Sequence, residues 1–314
     1  RYIKALDLIA KQQYGAARQL LDQLQESYND NNAVRFADIR YYQLLCAVET
    51  NDANALYEIN RFREEARGSD KMNRADFLEG RMQFAQRRYS QALAAFRKVK
   101  PASLPSFEQS ELFYKTGFCL VRQNQVREAI PMLEKVLETN NIYTAPARYQ
   151  LAHIHYSLGN NEKALALFAQ IRNEPAYRKI VPVYELQLQY RLGQYDQVLA
   201  LADNAMSGAD SRQQAEVARI LANVSFSRND CPKALSYLGM VEKNPRRQLT
   251  REDHYQAGKC RLGLQQYKEA INNLQQASAG DEPFAGHAAY LLAQAYAENG
   301  QKVFARNAFL AAYR

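Results

Sequence analysis

Apolar positions return along this chain about every 36 residues. An alanine recurs at Ala17, Ala55, Ala92, Ala129, Ala164, Ala234, Ala270 and Ala305, with Val198 in the same seat once, at spacings of 38, 37, 37, 35, 34, 36, 36 and 35. Four residues on stands a second apolar set: Leu21, Ile59, Phe96, Leu133, Phe168, Ala202, Leu238, Leu274 and Phe309. Three further comes a third: Leu24, Phe62, Val99, Val136, Ile171, Ala205, Val241, Ala277 and Ala312. Steps of four and three place each trio on one face of a helix. A period of this size marks an all-α solenoid of stacked repeats, in which each unit buries its apolar face only against its neighbours.

Residues 145–172 show one unit. From Ala147 to Leu158, the residues Leu151, Ala152, Ile154, His155 and Leu158 fall together at helical spacing. Gly159-Asn160-Asn161 breaks that helix, and a second follows with Ala164, Leu165, Phe168 and Ile171 on one side. Asn173-Glu174-Pro175 is expected to end it. The small residue at the Ala164 seat lets the second helix approach the first, and the large residue four later is expected to fill the gap toward the next unit. Ala129→Tyr should overpack this crossing at a cost of about 1–3 kcal/mol.

Composition adds limits. Apolar residues are 47% and charged residues 24%, the balance of a folded chain. No apolar run approaches the roughly 18 residues that cross a membrane. The net charge of +8 is spread without a block of like sign, so no dense phosphate-binding patch is visible and nucleic acid is not an expected partner. Cys46, Cys119, Cys231 and Cys260 show no CxxC or metal-ligand spacing. Cys119 and Cys260 hold one position of distant repeats, which rules out a bond between them, and buried free thiols are expected. That fits a reducing compartment and leaves the bacterial periplasm open. The compartment is not fixed, with an envelope-associated place put ahead of a cytoplasmic one. Arg1 begins partway through a helix and the chain stops on the apolar run Ala308 to Tyr313 without a polar cap, so the sequence reads as a fragment of a longer protein.

At this level the unit resembles the tetratricopeptide repeat, whose pattern is W-x2-L-G-x2-Y, then A-x3-F, then P. Gly80, Gly117 and Gly258, with Ala152, Ala222 and Ala293, match the first-helix glycine. Gly159, Gly193 and Gly300 match the turn glycine, and Tyr14, Tyr89, Tyr195 and Tyr267 match the aromatic that opens the second helix. Phe113 and His254 stand where the family has tryptophan, and residues 36–63 match least well, with Asp52 at the aromatic seat. The resemblance covers residues 1–314 as a single superhelical array of about nine repeats, the first one truncated at its start. It implies a right-handed α-solenoid. The RNA-reading pentatricopeptide type also pairs helices, but units that drift from 34 to 38 residues and the glycine and alanine seats favour the tetratricopeptide pattern.

In that family first helices line a concave face that receives peptides. Carried over repeat by repeat, the inward positions are Arg81; then Tyr114, Phe118 and Arg122; then Tyr149, His153 and Tyr156; then Gln187, Tyr190 and Arg191; then Arg219, Asn223 and Phe226; then Tyr255 and Lys259. Arg40, Arg74, Tyr290 and Gln294 fall at the same positions of the outer repeats. The set is rich in Tyr, Phe and Arg and nearly free of acids, the side chains that anchor protein interfaces and grip carboxylates. It implies a protein or peptide ligand with acidic and aromatic side chains. The same aromatics also have a packing role between neighbouring first helices. The Lys/Asn clamp of chaperone-tail binders is missing: Asn223 follows Arg219 by four, but the next repeat offers Gln256.

Catalytic signals are absent. His153 and His155 point to different sides of one helix, His254 and His287 stand apart, and HExxH, GxSxG, GxxxxGK[ST] and GxGxxG do not occur. No metal or cofactor is expected, and the segment reads as non-enzymatic. The expected function is a scaffold that binds a partner in the concave groove, in the style of bacterial envelope assembly or secretion components. The alternative is a sensor array in a larger signalling or DNA-binding protein. A third reading is self-association through the repeat ends.

Overall fold

The computed structural model describes residues 1–26, 33–66, 68–244 and 248–312, without the side chains of 33–35. Tyr313 and Arg314, from the apolar C-terminal run, lie outside the described residues. Among those residues, helices follow one another in pairs. They are α1 (Tyr2–Ala10) with α2 (Tyr14–Glu26), α3 (Ala33–Glu49) with α4 (Ala55–Glu65), α5 (Met72–Ala85) with α6 (Tyr89–Phe96), and α7 (Ser106–Arg122) with α8 (Val126–Val136). Next come α9 (Thr144–Ser157) with α10 (Asn161–Ala169), α11 (Val181–Arg191) with α12 (Tyr195–Gly208), and α13 (Ser211–Ser227) with α14 (Cys231–Glu242). The chain closes with α15 (Arg251–Gly263) and α16 (Tyr267–Ala277), then α17 (Ala285–Glu298) and α18 (Lys302–Ala312). The fold is an all-α repeat solenoid. It divides into two compact bodies, Arg1–Ile154 and His155–Arg314.

The periodic apolar trio forms the core of both bodies. Every residue of the alanine set, Val198 included, is buried, and so are the two sets that follow it up to Leu274 and Ala277. The last repeat departs: Ala305 is buried, while Phe309 on the same helix keeps 40% of its surface exposed. Local signals start several helices. Asp210 and Gln213 close a capping box on α13, Thr250 and Asp253 close one on α15, and Asp230 caps α14 ahead of Pro232.

The turn inside each pair has one geometry throughout. Gly159, Gly193 and Gly300 take positive φ there, as a left-handed helix end requires. Gln12, Asn51, Arg87, Asn124, Asn229 and Gln265 take the same conformation, with φ from 56° to 61°. Asparagine enters this region more readily than other side chains, whereas Gln12, Arg87 and Gln265 are held in it by the packing of the two helices on either side.

The large residue after the small one has a different role from the expected bridge to the next unit. A Cβ on Gly117 would lie 2.7 Å from Leu133, and one on Gly258 would lie 2.6 Å from Leu274. Phe96 sits over Gly80 in the same way. In these repeats the large side chain fills the glycine notch of its own first helix. Phe168 does reach forward, stacking on Tyr184 of α11 with ring centroids 5.2 Å apart. α10 also ends before Asn173-Glu174-Pro175. From Ile171 to Ile180 the backbone runs through linked turns, with the N–H groups of Ile171, Glu174, Tyr177 and Ile180 donating three residues back and that of Arg178 four back to Glu174, which carries the chain to α11 without helix.

The cysteine expectation is corrected for one pair. Cys231, the first residue of α14, and Cys260 in α15 form a disulfide with Cα atoms 5.1 Å apart. Like positions of distant repeats cannot meet, but the start of a second helix abuts the following first helix. Cys46 and Cys119 are buried free thiols, as expected. Burial pushes them up to about 11 and about 12 respectively, which makes them unreactive.

Candidate functional site

In the first body the inward positions of α5, α7 and α9 form a belt of rings and ion pairs. Arg81 lies between two carboxylates, Glu49 of α3 at 2.6 Å and Glu111 of α7 at 2.9 Å. Burial opposes its charge, but Glu111 and Glu49 outweigh it and the guanidinium titrates above its ordinary value. Arg74 pairs in the same way with Glu108 at 2.7 Å. Tyr114 stands 5.5 Å from Tyr143 and 6.4 Å from Phe118, ring to ring. Phe118 packs edge-on against Phe84 at 5.3 Å and lies 5.5 Å from Tyr89. The exposed Arg122 carries its guanidinium 5.6 Å from the Tyr89 ring centre. Tyr149 meets His153 edge to face at 4.4 Å, and burial lowers the His153 pKa, which keeps the imidazole neutral at pH 7.

In the second body a hydrogen-bond ladder runs from helix to helix. The Tyr156 hydroxyl donates to Gln187 Oε1 at 2.9 Å. Arg191 lies 4.0 Å over the Tyr156 ring. Asn223 donates to the Tyr190 hydroxyl at 3.2 Å and accepts from Gln256 at 3.0 Å. Arg219 holds the buried Asp253 carboxylate through Nε at 2.9 Å and Nη2 at 2.9 Å, and donates to the Gln248 carbonyl at 3.0 Å. Further on, Phe226 packs against Tyr255 at 6.2 Å, Lys259 Nζ lies 5.4 Å over Phe226, and Tyr255 Oη meets His287 Nδ1 at 2.8 Å.

Six of the residues expected from sequence line one depression of about 370 Å³: Tyr156, Gln187, Tyr190, Arg191, Arg219 and Asn223, joined by Glu216 and Ile220. Its lining joins two aromatic rings and Ile220 to the polar side chains of the other five residues. A hollow of about 540 Å³ beside Glu242, Arg251 and His254 is larger, but none of the expected residues lines it. Tyr114, Tyr149, Tyr190 and Tyr255 are each partly exposed, so they pack between first helices and still present a face.

The reading of this face as nearly free of acids is corrected. Glu49, Glu111 and Asp253 stand on neighbouring repeats and already neutralise Arg81 and Arg219. The cations that keep open charge on the face are Arg122, Arg191 and Lys259, all exposed and each set against an aromatic ring. Sequence reasoning passed over Phe84 and Tyr143, and named Gln256 only as the residue that breaks the Lys/Asn clamp. Gln256 lies 33 residues after its partner Asn223, so the repeat spacing carried that signal. Among the described residues no group of three or more His, Cys, Asp or Glu could hold a metal ion, and no helix is long and apolar enough to cross a membrane.

Comparison with known proteins agrees with this architecture. Two models described as "Tetratricopeptide repeat" match residues 120–176 and 255–314, and the model "Anaphase-promoting complex, cyclosome, subunit 3" matches residues 191–277. No curated protein matches the chain. The C-terminal part of a TPR repeat-containing protein from Cytophaga hutchinsonii is 14% identical, with a TM-score of 0.54, over 78% of this chain and 95% of that one. A tetratricopeptide repeat protein from Parabacteroides merdae is 14% identical with a TM-score of 0.46, over 82% and 98% of the two chains. MamA from AMB-1 is 18% identical with a TM-score of 0.47, over 55% and 92%. Residues 120–176 and 255–314 are thus tetratricopeptide repeats. The chain is a protein–protein interaction scaffold, a class that is in general non-enzymatic.

Proposed function

We propose that the chain holds a segment of a partner protein along the exposed edges of its first helices, with an anchor side chain seated in the depression between α11 and α13. The observation that carries this reading is the depression lined by Tyr156, Tyr190 and Ile220 together with Gln187 and Arg191. Aromatic walls offer a large apolar contact at low entropic cost, and a partly open guanidinium offers a partner for a carboxylate. The ligand that fits is a peptide stretch with an aromatic or aliphatic side chain beside an acidic one. The acidic neighbour would meet Arg191 rather than Arg219, whose charge Asp253 already answers.

The test is capture of partners by the full-length protein after crosslinking in its own cells, read by mass spectrometry, beside a variant carrying Tyr190→Ala and Arg191→Ala. Loss of specific partners with unchanged helicity supports the reading. Equal recovery from both chains overturns it and moves the binding surface elsewhere.

A further inference from the structure

We propose that the Cys231–Cys260 bond is a permanent cross-link formed in an oxidising compartment, with Cys231 as the sulfur that meets the oxidant, and that this part of the protein works in that compartment. The proposal is independent of the peptide-binding reading.

The repeat register supplies an internal comparison. Cys46, Cys119 and Cys260 occupy one seat, each buried within a first helix. The facing seat is the residue that opens the preceding second helix. Opposite Cys46 it is Tyr14, which packs against the same cluster. Opposite Cys119 it is Tyr89, whose ring leans on Phe118. Opposite Cys260 alone that aromatic is replaced by Cys231, and there the chain closes a covalent bond. A small buried residue suits the first seat whether or not it is bonded. Val126, Asn161 and Lys302 open other second helices at the second seat, so size alone does not choose its residue; Cys231 is set apart because it stands opposite a cysteine and is bonded to it. Its role is the bond.

Access to the two sulfurs is unequal. Cys231 is partly exposed at the first turn of α14, whereas Cys260 is wholly buried. Bond formation follows from that difference. The Cys231 thiolate attacks a disulfide-bearing carrier, and one carrier sulfur leaves as a thiolate. The Cys260 thiolate then attacks the Cys231 sulfur of the mixed disulfide, and the carrier departs as a dithiol. The protein loses two electrons and two protons, and the carrier disulfide gains them. Reduction must run back through the same entry. An attacking thiolate reaches Cys231 and expels Cys260, whose buried surroundings make its thiolate a poor leaving group. Cys119, in the same seat of α7, shows how strongly such burial holds the proton on sulfur. A bond that opens this slowly persists where oxidised carriers are maintained, and such bonds are rare in reducing compartments.

The protein is isolated from its own cells under an alkylating reagent, unfolded without reductant, labelled with a heavier reagent and mapped by mass spectrometry. A linked Cys231–Cys260 peptide is expected, with Cys46 and Cys119 carrying the second label. Alkylated Cys231 and Cys260 would overturn the proposal. Entry is tested on single variants. Folded Cys260→Ser should alkylate at Cys231 at least about tenfold faster than folded Cys231→Ser does at Cys260. The reverse order overturns the assignment of the entry sulfur. Should a serine variant fail to fold, Cys231→Tyr restores the aromatic of the other repeats and exposes Cys260 to the same measurement. Dithiothreitol should open the bond at least about tenfold more slowly in the folded protein than in urea, and equal rates would exclude a permanent link.

Discussion

The Arg191 guanidinium lies 4.0 Å over the Tyr156 ring and donates to the Tyr156 carbonyl at 3.3 Å. One residue thereby fixes the direction of an exposed cation on the first-helix face of the second body. The ring supports the planar group through its π-face, while the remaining N–H groups stay free for a ligand carboxylate. Arg191→Lys keeps the charge and loses the fork. It should weaken partner binding by about tenfold, or about 1.4 kcal/mol. Because Arg191 is exposed, stability should change by less than about 0.5 kcal/mol. Titration calorimetry against a captured partner, beside urea unfolding, checks both halves.

The turn residues give a prediction about stability alone. Arg87 and Gln265 are exposed and held at φ 59° and 61°. A left-handed L-residue costs roughly 1–2 kcal/mol, and a glycine removes that cost while adding about 0.5–1 kcal/mol of chain entropy. Arg87→Gly and Gln265→Gly should each stabilise the fold by up to about 1 kcal/mol. Gly193→Ala, at φ 70°, should destabilise it by a similar amount. Chemical denaturation of the three variants orders them.

Gly117 and Leu133 are a notch and its filling. A methyl group at Gly117 would stand 2.7 Å from Leu133 Cγ, and Leu133 is fully buried. Gly117→Ala should cost about 1–3 kcal/mol through overpacking. Leu133→Ala should itself be costly, but in the double variant the new methyl enters the space vacated. A coupling of about 0.5–3 kcal/mol is expected in a double-mutant cycle. Strict additivity would mean that the two side chains do not meet.

The period of the core was legible because each repeat obeys one packing rule, and burial of Ala17 through Ala305 follows it. The turn was read only where it carries glycine. At Gln12, Arg87 and Gln265 tertiary packing overrides a local preference, so composition shows nothing, whereas Asn51, Asn124 and Asn229 are of the type that follows glycine in this conformation and carried a signal that was passed over. The aromatic residues of the face were legible from register. Their electrostatics were not read, because Asp253, one repeat after Arg219 on the next first helix, is not itself one of the inward positions that were compared. The disulfide was missed for a related reason. Like positions were compared with like, whereas Cys231 and Cys260 occupy unlike seats that meet.

Glu185 sets a pH dependence. Its side chain is wholly buried in α11, with Arg172 donating to Oε1 at 2.7 Å. Burial raises its pKa above the ordinary 4.5 and Arg172 offsets only part of that. The folded state therefore binds this proton more tightly than the unfolded chain does. The stability tied to it is fully present below about 4.5 and is lost as pH rises through the folded-state value. Glu185→Gln removes the titration. Across pH 4 to 7 the stability difference between the two proteins should move steadily in favour of the variant. A constant difference would mean that Glu185 titrates alike in both states.

The cross-link also has a thermodynamic signature. The bond joins positions separated by 29 residues, a span that takes in most of α14 and α15. Closing a loop of that size removes unfolded-chain entropy worth about 3–4 kcal/mol. Reduction in urea followed by removal of denaturant should therefore lower the stability of the second body by about that amount. The Cys231→Ser/Cys260→Ser double variant should match the reduced protein and respond to reductant no further. If oxidised and reduced proteins unfold at the same urea concentration, the bond does not constrain the unfolded chain. A further loss in the double variant on adding reductant would trace that part of the effect to Cys46 or Cys119 instead. Those thiols are buried and free, so only a change in the unfolded state could make them respond.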